Sequence, residues 1–277
     1  MDRLISMRDV GRLQGYTLAC GLLLLFISAA QGYGQSSEVT LHVDFVPNSH
    51  THQVPAALPP AVAWLTPLEA NTEATLPLQT HNYQMVQKDK TFDPHLLVVP
   101  VGSVVVFPNR DPFFHNVFSL FNGKRFDLGL YETGSERRVR FDREGVSYIF
   151  CNIHPEMGAV ILSLATPYYA VSREGTIAIP QVPPGRYLLN VWSEGATPES
   201  LNSARREVTV QAGATNLGSV SLVAAPSPIM HHANKFGEPY PGTRDSSSQS
   251  STYRRRNAAK TVANSAICTH KYKRSTF

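Results

Sequence analysis

Residues 148–157 read Tyr-Ile-Phe-Cys-Asn-Ile-His-Pro-Glu-Met, and this stretch is the most informative part of the chain. The aromatic and β-branched residues at its beginning predict the end of a β-strand, and the proline marks a loop. Cys151, His154 and Met157 follow one another at intervals of three residues. A short loop can aim three such side chains at one point, whereas a strand points alternate residues to opposite faces. These donor types are ligands of soft and borderline transition metals, so the stretch predicts a metal site at a strand end.

The sequence around this loop predicts an all-β domain over residues 83–166. Short apolar patterns of strand type are separated by turn signals such as Asp93-Pro94 and Asn122-Gly123. Short strands with frequent turns are typical of antiparallel sandwiches and barrels. The expected strands are residues 83–87, 96–99, 103–107, 115–120, 137–141, 146–150 and 159–164.

A fourth metal ligand has to come from outside the loop, and His115 in Phe113-Phe114-His115-Asn116-Val117 is well placed. A Cys-x2-His pair alone would be weak evidence, because structural zinc sites use it too. The addition of Met157 and of an upstream His-Asn pair in a β-rich frame makes the signal much stronger. Zinc is the alternative metal, but a thioether is a poor zinc ligand and the sequence has no second Cys-x2-Cys arm.

These motifs resemble the cupredoxins of the plastocyanin and amicyanin type over residues 83–164. The similar segments are Asp93-Pro94 through Val101-Gly102, Phe107 to Asn109, the His-Asn pair and the Cys-x2-His-x2-Met loop. The short ligand loop is more similar to that of amicyanin than to that of plastocyanin. The sequence around the site also resembles cupredoxin proteins that are labelled as methylamine-utilisation proteins. The resemblance implies a Greek-key β-sandwich that holds one type 1 (blue) copper ion.

The resemblance also implies a role for each residue of the site. Cys151 would supply a thiolate, and His115 and His154 would supply imidazole nitrogens in a trigonal plane, with Met157 as a weak axial ligand. The side chain of Asn116 would lie behind the ligands and tie the two ligand loops together. A set of aromatic residues is expected to keep the site dry and to raise its potential: Phe107, Phe113, Phe114, Phe118 and Phe150.

A site of this kind implies an electron carrier that passes single electrons between redox partner proteins such as a cytochrome or a dehydrogenase, with His154 as the electron port. We expect no enzymatic activity. A binuclear copper centre needs two bridging cysteines, and a multicopper oxidase needs several His-x-His pairs. Two alternatives stay open: copper storage, delivery or sensing without redox turnover, and a cell-surface interaction module with a structural metal site.

The first 34 residues predict a signal peptide. Arg3, Arg8 and Arg12 precede an apolar run at residues 18–30, which ends in small residues. An uncleaved membrane anchor is the alternative, although the run is short for a full span. Export would place the protein in the periplasm, outside the cell or on its surface. There, a Cys151–Cys268 disulfide is the alternative to a metal-bound thiolate.

Residues 167–224 predict a second, smaller β-sandwich. Residues 176–192, with the turn Val182-Pro183-Pro184-Gly185-Arg186, resemble the carboxypeptidase regulatory-like (transthyretin-like) sandwich. This segment alone has few strands for a closed sandwich. We therefore expect the strands within residues 36–82 to complete it, with the cupredoxin domain inserted between the two parts.

Residues 225–277 predict a disordered basic tail. Residues 231–277 contain nine of the 25 Lys and Arg residues and two of the 21 acidic residues, so that this segment is strongly positive although the whole chain has a net charge of +4. The His231-His232 pair is expected to be solvated. The patterning of the tail is too loose to choose between anionic lipid, an acidic partner and nucleic acid, so a solvated tail is the default. Contact with a membrane surface stays open, and nucleic-acid binding is not expected.

Overall fold

The computed structural model describes residues 36–49, 59–69, 82–120 and 123–240, and almost all of its regular structure is β-strand. The all-β class is confirmed. The predicted signal peptide and residues 241–277 of the predicted tail lie outside the described residues. In chain order, the elements are β1 (Ser37–Val46), β2 (Ala61–Pro67), β3 (Tyr83–Gln84), β4 (Val86–Lys88), β5 (Thr91–Asp93), β6 (Leu96–Pro100), β7 (Val104–Pro108), β8 (His115–Ser119), β9 (Phe126–Tyr131), β10 (Glu136–Arg140), β11 (Gly145–Phe150), β12 (Gly158–Leu164), β13 (Tyr169–Val171), β14 (Thr176–Val182), β15 (Gly185–Ser193), helix α1 (Pro198–Ala204), β16 (Arg206–Val210), β17 (Ala214–Val223) and a 3-10 helix at Pro228–His231.

The first sandwich consists of a five-stranded sheet, β6-β12-β11-β8-β9, and a three-stranded sheet, β10-β7-β3, with the β4-β5 ribbon beside them. The chain crosses between the two sheets several times, from β6 to β7, back to β8 and β9, on to β10 and back to β11. Such crossing connections are typical of Greek-key sandwiches. The core between the sheets is apolar and includes Met85, Phe107, Val117, Ile149 and Ile161.

Strand β12 is buried on both faces. Ala159 and Ile161 face the core of the first sandwich, while Val160, Leu162 and Leu164 face a different cluster. A continuous apolar run, rather than an alternating one, is what a strand covered on both faces requires.

The second sandwich is assembled from both ends of the described chain. β1 lies between β14, to which it is antiparallel, and β17, to which it is parallel. β2 lies between β13 and β15 in the four-stranded sheet β13-β2-β15-β16. The whole first sandwich is therefore placed, in sequence, between β2 and β13. The two ends of this insertion are close together in space, because β2 and β13 are hydrogen-bonded neighbours.

Helix α1 is an element that the strand patterns did not indicate. Thr197 caps it by accepting a hydrogen bond from the Ser200 backbone nitrogen, and Pro198 occupies the first turn. A capping threonine followed by proline is a recognised start signal that the sequence does contain. The helix is short, so it has no long apolar period from which it could be recognised.

The two sandwiches pack through the outer faces of their larger sheets. Val160 and Leu162 of β12 share a buried cluster with Val62 of β2 and Trp192 of β15. Burial of such side chains contributes about 1.5 to 3 kcal/mol each. The interface therefore holds the two sandwiches against each other by the same hydrophobic effect that forms their cores.

Residues 225–240 are structured, which corrects the expectation that the tail is disordered from residue 225. Ser227 caps the 3-10 helix, and Ile229 belongs to the cluster between the sandwiches. His232, expected to be solvated, is stacked on Phe150 with 4.0 Å between the ring centroids. The few apolar residues of this segment are sufficient to order it, because they pack against a surface that the two sandwiches provide.

Among the residues that the structure describes, no helix has the length and apolar character needed to cross a membrane.

An ion pair joins the two sandwiches at the edge of their interface. His95 Nε2 lies 2.6 Å from Glu194 Oε2, and Ser227 also donates to Glu194. The hydrogen bond to Glu194 raises the pKa of His95 above 6.5, although burial opposes this. Burial works to raise the pKa of Glu194, but the hydrogen bonds from His95 and Ser227 outweigh it, so that this pKa is below 4.5.

We expect Glu194→Gln to lower the stability by about 1 kcal/mol or less, because His95 is half-exposed. The raised pKa of His95 contributes stability that is lost as the pH rises through it, and the lowered pKa of Glu194 contributes stability that is lost as the pH falls through it. The difference from the wild type should therefore be largest between pH 4.5 and 6.5. Thermal unfolding across this range tests the prediction, with exposed Glu38→Gln as the control. An effect of Glu194→Gln that is equal at every pH would contradict it.

Candidate metal centre

His115 lies at the beginning of β8 and is fully buried. Its Nε2 atom is 2.7 Å from the carboxylate of Asp111, which is itself buried. Because a carboxylate can only accept, the proton of the imidazole is held on Nε2, and Nδ1 is left with its lone pair free. This is the arrangement in which a buried histidine can serve as a metal ligand.

The loop that follows β11 is closed by its own main chain. β11 and β12 remain paired up to Phe150 and Gly158, so that only residues 151–157 lie between them. Inside the loop, the Cys151 nitrogen donates to the Met157 carbonyl at 3.3 Å, and the Met157 nitrogen donates to the His154 carbonyl at 3.1 Å. These bonds fold the loop tightly, so that residues three positions apart come together.

The loop and His115 bring three donor atoms together. Nδ1 of His115 is 3.1 Å from Nδ1 of His154, and the sulfur of Cys151 is 3.8 Å from the first nitrogen and 3.6 Å from the second. These three side chains form a group that could hold a metal ion. A trigonal ion with bonds of about 2.0 Å to nitrogen and about 2.3 Å to sulfur requires separations of about 3.5 Å and about 3.7 Å. The observed triangle fits such an ion with only small movements.

Met157, the predicted axial ligand, is fully buried and belongs to the same hydrophobic cluster as Cys151. All four residues proposed from the sequence, His115, Cys151, His154 and Met157, are thus in or beside one buried region at the end of the first sandwich. Cys151, the one cysteine within the described ranges, is a free thiol.

The surroundings of Cys151 oppose ionisation in the metal-free protein. Burial raises the pKa of the thiol, whereas backbone N–H groups of Asn116, Ile153 and His154 lower it, and burial prevails. A metal has to displace the thiol proton, so that binding releases a proton and weakens at low pH. The three N–H groups are then already in place to stabilise the sulfur anion.

His154 is less buried than His115 and lies at the edge of the site. Burial and the nearby His115 ring lower the pKa of His154 below 6.5, which favours the neutral form that a metal ligand must have. The ring of Phe113 contacts both imidazoles, edge to face with His115 at 5.2 Å and tilted against His154 at 5.6 Å between centroids.

Asp111 is a residue of the site that the sequence analysis did not recognise. Backbone N–H groups of Asp89 and Lys90 donate to its two oxygens at 2.6 and 3.0 Å, and its own backbone nitrogen donates to Asn109 Oδ1 at 3.0 Å. The sequence offered a weak signal, an aspartate four residues before the histidine. In a loop, however, that spacing has no fixed geometric meaning, so only the folded chain shows the contact.

Asn116 does not tie the ligand loops together through its side chain, contrary to the expectation. Its Nδ2 atom donates to Asp127 Oδ1 at 2.7 Å and to the Gly129 carbonyl at 3.0 Å, both on β9. The reason is the alternation of β8, which turns His115 towards the site and the next side chain away from it. The backbone N–H of Asn116, rather than its amide, is the group directed at Cys151.

The expected aromatic lining is correct for only part of the set. Phe107 is buried in the core that contains Cys151, whereas Phe118 and Phe150 belong to the cluster that faces the second sandwich. Phe113 and Phe114 are 36% and 54% exposed, so that they form part of the surface beside His154 rather than of a dry interior.

The chain is thus a β-sandwich protein with a largely buried His-Cys-His group at one end of its first sandwich. Among solved structures, the chain is similar to a purple cupredoxin from Nitrosopumilus maritimus, with 26% identity over 30% of this chain and all of that one, at a TM-score of 0.28. It is similar to a reduced mutant form of amicyanin, with 19% identity over 30% of this chain and 82% of that one, at 0.29. It is also similar to a copper-containing nitrite reductase from Thermus scotoductus SA-01, with 22% identity over 44% of this chain and 28% of that one, at 0.30. No protein-family model and no curated protein matches the sequence.

Proposed function

We propose that this protein is an extracytoplasmic type 1 copper protein that carries single electrons between redox partners. The observation that supports this most directly is the convergence of two imidazole nitrogens and one cysteine sulfur within 4.8 Å of one another. The buried Met157 beside them adds the thioether of the donor set. A mixture of soft and borderline donors in a trigonal arrangement is typical of copper sites that function in electron transfer.

Copper, when bound, would supply a one-electron redox couple. The chain's own residues limit how far the ligands move during that change. Asp111 holds His115 in one orientation, and the main-chain hydrogen bonds of the loop hold Cys151 and His154. A site whose ligands scarcely move has a low reorganisation cost, which is what rapid electron transfer requires.

We propose a carrier rather than an enzyme. His115 and Cys151 have no exposed surface, and the ring of Phe113 lies beside the two histidines. A substrate would have to displace these groups to reach the ion. An electron needs only a short path to the surface, and the partly exposed His154 provides one. A redox protein such as a cytochrome or a dehydrogenase would bind against this end.

The proposal extends to the location and the second sandwich. The predicted signal peptide at residues 1–34 would export the protein to the periplasm or the cell surface. The second sandwich, of carboxypeptidase regulatory-like type, would be a structural or adhesive support for the copper domain. The basic residues beyond residue 240 would provide a contact to a membrane surface.

Titration of the metal-free protein with Cu(II) tests this function. We expect an intense visible absorption band from the copper–thiolate bond, saturating at one ion per chain, which disappears with ascorbate and returns on reoxidation. The sulfur of Cys151 lies within bonding reach of an ion held by the two histidines, which is the physical reason for the band. Titration with Zn(II) serves as the control and should give no colour. Tight binding of Cu(I) with no coloured Cu(II) form would instead indicate copper storage or delivery.

A further inference from the structure

A segment that belongs to neither sandwich crosses the end of the first sandwich where the candidate ligands lie. We call residues 227–240 the C-terminal clamp. Its beginning is attached to the second sandwich, where Ser227 donates to Glu194 and the Ala225 nitrogen just before it donates to the Gly195 carbonyl at 2.9 Å. Its other end, Tyr240, is buried against the first sandwich.

The clamp contacts the first half of the ligand loop through aromatic side chains. The Tyr240 hydroxyl lies 2.8 Å from the Cys151 carbonyl and 3.0 Å from His232 Nε2. His232 Nδ1 lies 2.8 Å from the Ile229 carbonyl, and its ring is stacked on Phe150 at an interplanar angle of 16°. The residue that carries the proposed thiolate thus accepts a hydrogen bond from outside its own domain.

Lys235 joins the two ligand-bearing segments. Its backbone nitrogen donates to Asn152 Oδ1 at 2.9 Å, beside Cys151, and its ammonium group lies 2.7 Å from Asp127 Oδ2. The other oxygen of Asp127 accepts from Asn116, which follows His115. The connection between the two ligand segments that Asn116 does not make directly is therefore made through the clamp.

The clamp also contacts the far end of the ligand loop. A Cβ atom added to Gly158, the residue after Met157, would lie 2.1 Å from Ile229 Cγ2. The glycine is needed because Ile229 occupies the space that a side chain would use. Clamp contacts consequently fall on both flanks of the loop, at residues 150–152 and at residue 158.

We propose that the C-terminal clamp is part of the metal centre and that Tyr240 is a positioning residue, which holds the Cys151 end of the ligand loop through the backbone carbonyl. The hydroxyl dipole directed at the cysteine should also favour the reduced copper ion. This effect on the ion, unlike the positioning of the loop, rests on the proposed copper function. The clamp makes the second sandwich necessary to the site, since that sandwich anchors the segment that carries Tyr240.

The test compares Tyr240→Phe with Tyr187→Phe in the full chain. Both variants lose one tyrosine hydroxyl bonded to a carbonyl, at 2.8 Å and 2.9 Å, but Tyr187 bonds Pro183 in the second sandwich. In the metal-free protein, the labelling rate of Cys151 by a thiol reagent is measured by mass spectrometry of the labelled peptide. The loss of one hydrogen bond of typical net strength should make local opening of the loop about fivefold more frequent. We therefore expect about fivefold faster labelling in Tyr240→Phe.

The copper-loaded protein gives a second measurement. Tyr240→Phe should lower the reduction potential and shift the visible band, whereas Tyr187→Phe should change neither. Equal labelling rates in wild type and Tyr240→Phe, or equal acceleration in both variants, would overturn the positioning role. If the wild type takes up no copper, the proposed function fails while the labelling result still decides whether the clamp holds the loop.

Discussion

Replacement of Cys151 by serine is expected to abolish the visible absorption of the copper-loaded protein completely. The sulfur is the one thiolate donor within the described residues and lies 3.6 and 3.8 Å from the two imidazole nitrogens. A serine hydroxyl at this buried position would have to lose its proton to become an anionic ligand, and its oxygen is a harder donor than sulfur. Both effects remove the copper–thiolate bond from which the colour arises.

The matched control is Cys268→Ser, because the third cysteine, Cys20, lies in the predicted signal peptide. We expect its spectrum to equal that of the wild type. Visible spectroscopy and metal analysis are run on both variants, with circular dichroism to verify the fold. Retained colour in Cys151→Ser would remove the basis of the proposed site. Loss of colour in Cys268→Ser would show that the second cysteine takes part in it.

Replacement of Asp111 by alanine is expected to have the second largest effect, on metal affinity and on stability together. The substitution leaves the buried Nε2 of His115 and the partly buried backbone N–H groups of Asp89 and Lys90 without their acceptor. A carboxylate that orients a ligating histidine typically contributes about 10- to 100-fold in metal affinity. The loss of these three hydrogen bonds, one of them fully buried, should also lower the free energy of unfolding by about 3 kcal/mol.

The variant Asp111→Asn separates the two effects. It retains the shape of the side chain. However, the amide has one oxygen and one NH2 group, so that it cannot accept from the backbone N–H groups of both Asp89 and Lys90. We expect a smaller loss of stability than in Asp111→Ala, with most of the loss of copper affinity retained. Asp142→Asn, which breaks an exposed ion pair with Lys124, is the surface control and should change neither quantity appreciably. Copper competition titrations and chemical denaturation measure both. Unchanged affinity in Asp111→Ala would show that His115 is oriented by other groups.

Most strands of the first sandwich could be predicted from the sequence because most of them are local patterns. Residues 96–99 and 159–164 were expected as strands, and the structure has β6 at Leu96–Pro100 and β12 at Gly158–Leu164. β9, Phe126–Tyr131, was missed. Gly129 has a positive φ there, and the pairing with β8 shifts at this point, so the alternation of a regular strand is disturbed.

The donor loop could be recognised from its residues alone. Residues 151–157 carry three of the four expected ligands, and their chemistry and spacing need no distant partner to be recognised. Only the folded chain shows which other residues contact them: Asp111 beside His115, and Tyr240 and Lys235 of the clamp beside Cys151 and Asn152. The physical reason is that contacts between residues far apart in the chain depend on how sheets pack and cross. No local preference encodes that packing, and the entropy of closing the chain between such residues is offset only once both sandwiches have formed.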